Sequence, residues 1–277
     1  MSQTPDRSVL LSSDPPLDLR FSEAELETTR ERIVSFIADV VADAGAEGAV
    51  LGLSGGIDST LTAHLAVEAL GDDGLHGLTM PSEVNDPDVM SDAERVAADL
   101  GIEYDVVAIQ PIAEAVFDAL PGPAEDRTAR GNVYVRTRAV CNYLVANAEN
   151  RVVLGTGNRA EAMTGYYTKY GDQAVDCNPI GNLYKQQVRQ LAAHVGVPRE
   201  LVMQEPTAGM WEGQTDAAEM GLDYDTVDAI LAVHVDGGLS RAATIRELDV
   251  PADAVDRVVD LYEASAHKRS MPPAPER

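Results

Sequence analysis

Lysine is nearly missing from this 277-residue chain: Lys169, Lys185 and Lys268 stand against 18 arginines. Basic residues total 21 and Asp plus Glu total 46, for a formal net charge of −25. A surface of that sign repels nucleic acid and anionic membranes, because both present phosphate. Neither is an expected partner. It suits high salt, where charge repulsion is screened within about 3 Å at 1 M. An acidic, lysine-poor composition reads as that of a salt-adapted protein, and the three remaining lysines read as functional. Cysteine is also scarce. Cys141 and Cys177 alone exclude a disulfide scaffold and read as reduced thiols of a cytoplasmic protein. Long apolar runs are lacking: none reaches the roughly 18–20 residues of a membrane span. Residues Met1 to Arg20 have no basic segment followed by an apolar one, so no signal peptide is expected.

What is present is 45% hydrophobic residues, enough for a sizeable core. The organisation read from the sequence is an N-terminal arm, 1–21, with Pro5, Pro15 and Pro16, followed by a single domain, 22–277. Leu26, Ile33, Phe36, Ile37, Val40 and Val41 follow helical spacing from Ser22 to Ala44. Ser22 and Glu25 form a possible capping box, and Gly45 is a natural stop. Strands are expected at 49–53, 75–80, 104–109 and 152–154, and helices at 60–70, 86–100 and 133–148. Short apolar strands alternating with helices imply an α/β fold with a parallel sheet flanked by helices. The last 55 or so residues read as helices only, at 224–235, 240–248 and 251–266, forming a helical C-terminal appendage.

The strongest local signal is Leu53-Ser54-Gly55-Gly56-Ile57-Asp58-Ser59-Thr60, directly after Gly52. It joins an expected strand to an expected helix, where backbone amides and the helix dipole favour an anion. Gly55 and Gly56 let phosphate oxygens approach the backbone. The string lacks the Gly-Lys-Ser/Thr ending of a Walker loop and the Gly-x-Gly-x-x-Gly dinucleotide pattern. Asp58 would repel a phosphate unless a cation lay between them, which points to Mg²⁺. The plainer reading is an acid favoured near a helix start.

The Ser-Gly-Gly-x-Asp-Ser string resembles the pyrophosphate loop of the ATP pyrophosphatases. That group includes NAD synthetase, GMP synthetase, asparagine synthetase, argininosuccinate synthetase and tRNA-modifying enzymes. Residues 131–185 narrow the choice. Gly131 to Arg138, Leu154-Gly155-Thr156-Gly157-Asn158-Arg159-Ala160-Glu161, Thr164 to Asp172, Asp176, and Asn178 to Lys185 resemble NAD synthetase almost continuously. Pro206-Thr207-Ala208, Trp211, Gln214-Thr215-Asp216, Gly221 and His267-Lys268-Arg269 extend the likeness to about residue 272. It implies a Rossmann-like adenine nucleotide alpha hydrolase fold, ATP as co-substrate with Mg²⁺, deamido-NAD and ammonia as the other substrates, and a homodimer.

Carried over residue by residue, the resemblance gives ATP contacts to residues 52–59, Thr156, Lys185 and Thr207. It gives deamido-NAD contacts to Arg136, Lys169, Asp176, His267 and Lys268. Arg138 matches the motif but is equally readable as structural. Thr156 ends a parallel strand, at the edge where open α/β sheets bind ligands. Glu161 is a second acid beside a triphosphate and should share Mg²⁺ with Asp58; as plain structure it is a favourable charge in a helix's first turn. Lys185 opens a helix, where the dipole disfavours a cation, so a functional reason is sought. Asp58 and Lys185 are the expected catalytic groups. Where the family commonly has a second acid after Gln214-Thr215-Asp216, this chain has Ala217.

The implied reaction is ATP-dependent amidation through an acyl-adenylate, releasing pyrophosphate and then AMP. No cysteine-based glutaminase constellation accompanies it, so free ammonia is the expected donor. Two other readings compete: another pyrophosphatase, such as a tRNA-modifying thiolase, and a non-catalytic nucleotide-binding module. The acidity opposes the first and the two acids placed for a metal oppose the second.

Overall fold

The computed structural model describes residues 15–81, 87–207 and 213–275; of residues 87–91 only the backbone is described. Trp211 and Ala208, part of the sequence resemblance, lie outside the described residues, as do residues 1–14 of the arm.

Helix α1, Glu23–Asp43, starts where Ser22 and Glu25 predict. The Ser22 backbone N–H donates to Glu25 Oε2 at 2.8 Å, and the Glu25 N–H donates back to Ser22 Oγ at 3.4 Å. Its buried stripe is Leu26, Ile33, Ile37 and Val41. Each such side chain contributes about 1.5–3 kcal/mol by leaving water. Gly45 follows its end at φ +61, as expected of a stop.

Strands β1 (Gly48–Leu53) and β2 (Leu75–Thr79) are enclosed by helices α2 (Ile57–Leu70) and α3 (Pro87–Leu100) and by later elements. Strand β3 (Glu103–Val106) lies at one edge, next to β2. Helices α4 (Gln110–Ala119) and α5 (Arg127–Glu149) lead to β4 (Arg151–Leu154) at the other edge. The sheet order is β3-β2-β1-β4 and every pairing is parallel. In register, Leu51 of β1 lies between Gly77 of β2 and Leu154 of β4.

The expected α/β sheet is therefore present. Three details differ from the sequence reading. Strand β3 is exposed along its length, whereas every strand was expected to be covered on both faces; an edge strand has one flank without a partner. Helix α4 is not among the expected elements, because the strand expected from the sequence runs on to Ile109, next to its start. Helix α5 begins at Arg127 rather than Val133: Asp126 Oδ1 accepts from the Ala129 N–H at 2.6 Å and caps it there.

Beyond β4 come the short helix α6 (Arg159–Thr164), then α7 (Lys185–His194), α8 (Arg199–Val202) and α9 (Asp216–Met220). Helix α10 (Tyr224–Ile230) runs into a π-helical turn, Leu231–Asp236, and is followed by α11 (Arg241–Leu248) and α12 (Ala252–Ala264). A final 3-10 turn spans Ala266–Lys268. This C-terminal group has its own apolar cluster, centred on Val227, Ile230, Leu231, Val255 and Val258, which also takes in Ala160 of α6 and Tyr184. The described part of the arm is extended and is held by α7. Gln186, Gln187 and Gln190 donate to the carbonyl oxygens of Leu17, Leu19 and Phe21 at 2.8–3.2 Å. Among the described residues no helix is long and apolar enough to cross a membrane.

Candidate active site

In this parallel sheet the chain leaves β1 toward β2 and β3, then returns from β3 through α4 and α5 to β4 on the other side of β1. A crevice opens between the carboxyl ends of β1 and β4. The loop after β1 carries Ser54 to Ser59; the loop after β4 carries Thr156 to Glu161. Residues about 100 positions apart in sequence thus meet at one place.

The first loop turns at Gly55, φ +79, a conformation glycine adopts without steric cost. Gly56, the residue before α2, has no side chain to cap the helix. The hydroxyls serve the loop: Ser59 Oγ donates to the Gly56 carbonyl at 3.0 Å, and Thr60 Oγ1 does so at 2.9 Å. Ser54 Oγ accepts from the Gly56 N–H at 3.3 Å. Asp58, in the first turn of α2, forms an ion pair with the Lys185 ammonium.

Lys185 is 2% exposed, an extreme for a lysine in a chain this acidic. Its helix position is the unfavourable one foreseen from sequence, and its side chain shows the compensation. Burial works against the ammonium, but Asp58, Glu161 and Asp216 outweigh it, so its pKa rises above the usual lysine value. The ammonium also lies 5.2 Å from the centre of the Tyr224 ring.

Glu161 is the third residue of α6 and reaches back to the Asn158 N–H at 3.0 Å. Burial first, and Asp58 second, push its carboxyl well above the usual carboxylate range. Asp216, at the start of α9, is raised for the same first reason. Its Oδ2 accepts from the Tyr224 hydroxyl at 2.9 Å, while its Oδ1 is buried with no hydrogen-bond partner. In the sequence Asp216 belongs to the Gln214-Thr215-Asp216 string of the resemblance but carries no assigned role. The structure puts Asp216 beside Lys185 in charge terms.

The cluster therefore sets three carboxyl groups against one ammonium. This gathering of carboxyl oxygens, with Asp216 Oδ1 buried and without a hydrogen bond, fits a divalent cation. Among the described residues no three His, Cys, Asp or Glu are arranged to hold a metal.

The expected ATP contacts Thr156 and Thr207 stand in loops around this cluster. Thr156 lies two residues past β4. Thr207 Oγ1 donates to the Gln214 carbonyl at 2.7 Å, and the adjoining Pro206 carbonyl accepts from the Asp216 N–H at 3.2 Å.

Four of the five expected dinucleotide contacts come together in a second group. Arg136, exposed on α5, donates to the Lys169 carbonyl at 3.2–3.3 Å. Lys169 donates to the His267 carbonyl at 2.7 Å. Lys268 donates to the carbonyls of Gly165 and Tyr167 at 2.6 and 2.7 Å. The His267 side chain is exposed. Gly165 is required here twice over: its φ is +69, and a Cβ would meet Ser265 Cβ at 2.1 Å. The fifth, Asp176, stands apart. Its Oδ2 accepts from the Val153 N–H at 2.7 Å and its Oδ1 from the Tyr143 hydroxyl at 3.1 Å, tying the next segment to β4 and α5. Arg138 donates to the Met80 carbonyl at 3.2 Å, a scaffold contact.

Two further features escaped the sequence reading. Asp236, in the π-helical turn, accepts from both Arg159 and the Tyr184 hydroxyl. It thereby ties the start of α6, which carries Glu161, to the start of α7, which carries Lys185. Asn158 is wholly buried and donates to Asp58 Oδ1 at 3.1 Å. Its signal was available: Asn158-x-x-Glu161 is a capping-box pattern. Burial raises the pKa of both thiols, Cys177 to about 11, which keeps them from serving as thiolate nucleophiles at neutral pH.

The family model described as NAD synthase matches residues 29–272. The NH(3)-dependent NAD(+) synthetase of Halobacterium salinarum is 66% identical over 260 residues, covering 94% of this chain and 97% of that protein. Among solved structures, NMN synthetase from Francisella tularensis superposes with a TM-score of 0.81 at 36% identity, covering 93% of this chain and all of that one. The NH3-dependent NAD synthetase from Campylobacter jejuni gives a TM-score of 0.76 at 28% identity, with 91% and 99% covered. With the match running through both loops of the crevice and on to the Lys268 turn, the chain belongs to the NAD synthase family.

Proposed function

We propose that this protein is an ammonia-dependent NAD synthetase that amidates the nicotinate carboxylate of deamido-NAD at the expense of ATP. One observation carries the reading: Asp58, Glu161 and the buried Lys185 converge at the carboxyl ends of β1 and β4.

ATP lies with its phosphates on the 52–59 loop, contacted by Thr156, Lys185 and Thr207. Asp58 and Glu161 would hold Mg²⁺, which would supply charge neutralisation on the triphosphate. Arg136, Lys169, Asp176, His267 and Lys268 receive deamido-NAD, whose anionic groups call for cations. The substrate carboxylate, already ionised, needs no general base. One of its oxygens attacks the α-phosphorus, the bond to the β-phosphate bridging oxygen breaks, and pyrophosphate leaves. Ammonia then attacks the carboxyl carbon, loses a proton, and expels AMP with the oxygen that had attacked phosphorus. What these residues contribute is alignment and charge, since both displacements need reactants held in line and negative charge dispersed.

Residues 22–277 act as one catalytic unit and 1–21 as an arm. The protein works as a homodimer in a salt-rich cytoplasm. Helix α5 leaves Val140 and Leu144 exposed one turn apart, and the adjoining α4 exposes Ile112, Val116 and Leu120; apolar faces of this kind mark interaction surfaces. The functional test is pyrophosphate release that requires deamido-NAD, with nicotinate mononucleotide as the competing substrate. ATP cleavage that ignores both would remove the proposal.

A further inference from the structure

Asn158 touches both carboxylates of the proposed metal site. Its Oδ1 accepts from the Glu161 N–H at 3.0 Å, its own N–H donates to Glu161 Oε2 at 3.0 Å, and its Nδ2 donates to Asp58 Oδ1 at 3.1 Å. The amide has only one orientation consistent with these partners, because a carboxylate accepts and a backbone N–H donates. The side chain is fully buried.

Capping α6 does not by itself demand this residue. Asn, Asp and Ser serve about equally well at a helix start. Of the three, the amide both accepts from the helix and has a separate donor long enough to reach a neighbouring carboxylate. An Asp there would set another anion against Asp58; a Ser hydroxyl is shorter. Asp58 is thereby gripped from two sides, Oδ1 by Asn158 and Oδ2 by Lys185. Glu161 is gripped through the Asn158 backbone. Two carboxyl groups from different helices are held at a fixed separation by one residue that belongs to neither α2 nor the body of α6.

We propose that Asn158 is a positioning residue that sets the spacing and aim of Asp58 and Glu161 for a divalent cation, separately from its role as a cap. The proposal rests on the reading that those two carboxylates hold Mg²⁺. Groups that orient metal ligands without touching the metal typically change affinity by about 10–100-fold when altered.

The test compares Asn158→Ser and Asn158→Asp, both good caps, with the parent protein at high salt. Manganese binding is followed by electron paramagnetic resonance of the purified protein with ATP, alongside thermal melting and Mg²⁺-dependent turnover. The expected result is a melting temperature close to the parent's with manganese affinity weaker by about 10-fold or more. The Mg²⁺ concentration for half-maximal rate should rise by more than the saturated rate falls. Parent-like manganese affinity in a well-folded Asn158→Ser protein overturns the proposal and leaves Asn158 a cap. Should Asn158→Ser fail to fold, Asn158→Asp, nearly isosteric, decides by the same readout. Asp58→Asn and Glu161→Gln run in parallel: parent-like manganese binding in both would instead overturn the metal-site reading itself.

Discussion

The Lys169 ammonium donates to the carbonyl oxygen of His267 at 2.7 Å, across 98 positions of sequence. Lys268, next to His267, returns the contact by donating to the carbonyls of Gly165 and Tyr167. The 165–170 loop and the C-terminal turn thus clasp each other through two of the chain's three lysines, and the third, Lys185, is buried on Asp58. Each place needs a compact cation with freely directed donors. A guanidinium is a wide planar fork and cannot direct its donors into the same space.

Lys169→Arg should therefore lower turnover with deamido-NAD while leaving ATP binding nearly unchanged. A displacement of about 1 Å in the clasp can reduce rate on the order of 100-fold. Steady-state kinetics with deamido-NAD, set beside calorimetric ATP binding, checks this. Parent values in both would reduce Lys169 to a replaceable loop residue.

Asp58→Asn and Glu161→Gln should each abolish Mg²⁺-dependent turnover with the fold retained, as judged by circular dichroism. For Asp58 the change also deprives buried Lys185 of its ion-pair partner, so some stability should be lost as well; leaving a buried charge uncompensated is costly. Glu161→Gln removes a carboxyl that burial already strains, so it should melt at or above the parent temperature.

Much of this site was legible because its chemistry lies in short strings. Ser54 to Ser59 announces a phosphate loop by its glycines, and Asp58 stands out there as an acid among phosphate-binding groups. Asn158 and Asp216 were harder. Each looks like an ordinary helix-start residue, and only tertiary packing shows that Asn158 meets Asp58 and that Asp216 meets Tyr224. Helix α4 was missed because an apolar run such as Val106 to Ile109 fits the tail of a strand as well as the approach to a helix. The exposed face of β3 reflects its edge position, which local periodicity does not encode.

Asp228 gives a pH prediction. It is fully buried, and burial, opposed by the Gln186 N–H, pushes its carboxyl up to about 7. A raised acid favours the protonated folded state. Its contribution to stability is therefore best below the unfolded value of about 4 and is lost as pH rises toward 7. The loss is on the order of 4 kcal/mol. Asp228→Asn should flatten the fall in melting temperature between those limits relative to the parent. Parallel curves for the two proteins would show that Asp228 does not carry this dependence.

The net charge of −25 should make the fold salt-dependent, because screening weakens from about 3 Å at 1 M to about 30 Å at 0.01 M. Melting should occur at markedly lower temperature in dilute buffer. An unchanged transition across that range would contradict the salt-adapted reading.

Val140→Asp combined with Leu144→Asp should give a monomer by sedimentation at working salt while the parent sediments as a dimer. Both side chains are about two-thirds exposed, 67% and 69%, on one face of α5. A parent that already sediments as a single chain would rule out the dimer.

The most direct test of the account follows oxygen. Deamido-NAD carrying heavy oxygen in its nicotinate carboxylate is turned over with ATP, Mg²⁺ and ammonium, and the products are weighed by mass spectrometry. Attack on the α-phosphate predicts one heavy oxygen in AMP and one kept in the amide of NAD, with pyrophosphate unlabelled. AMP free of label, or ATP cleaved without deamido-NAD, would contradict it.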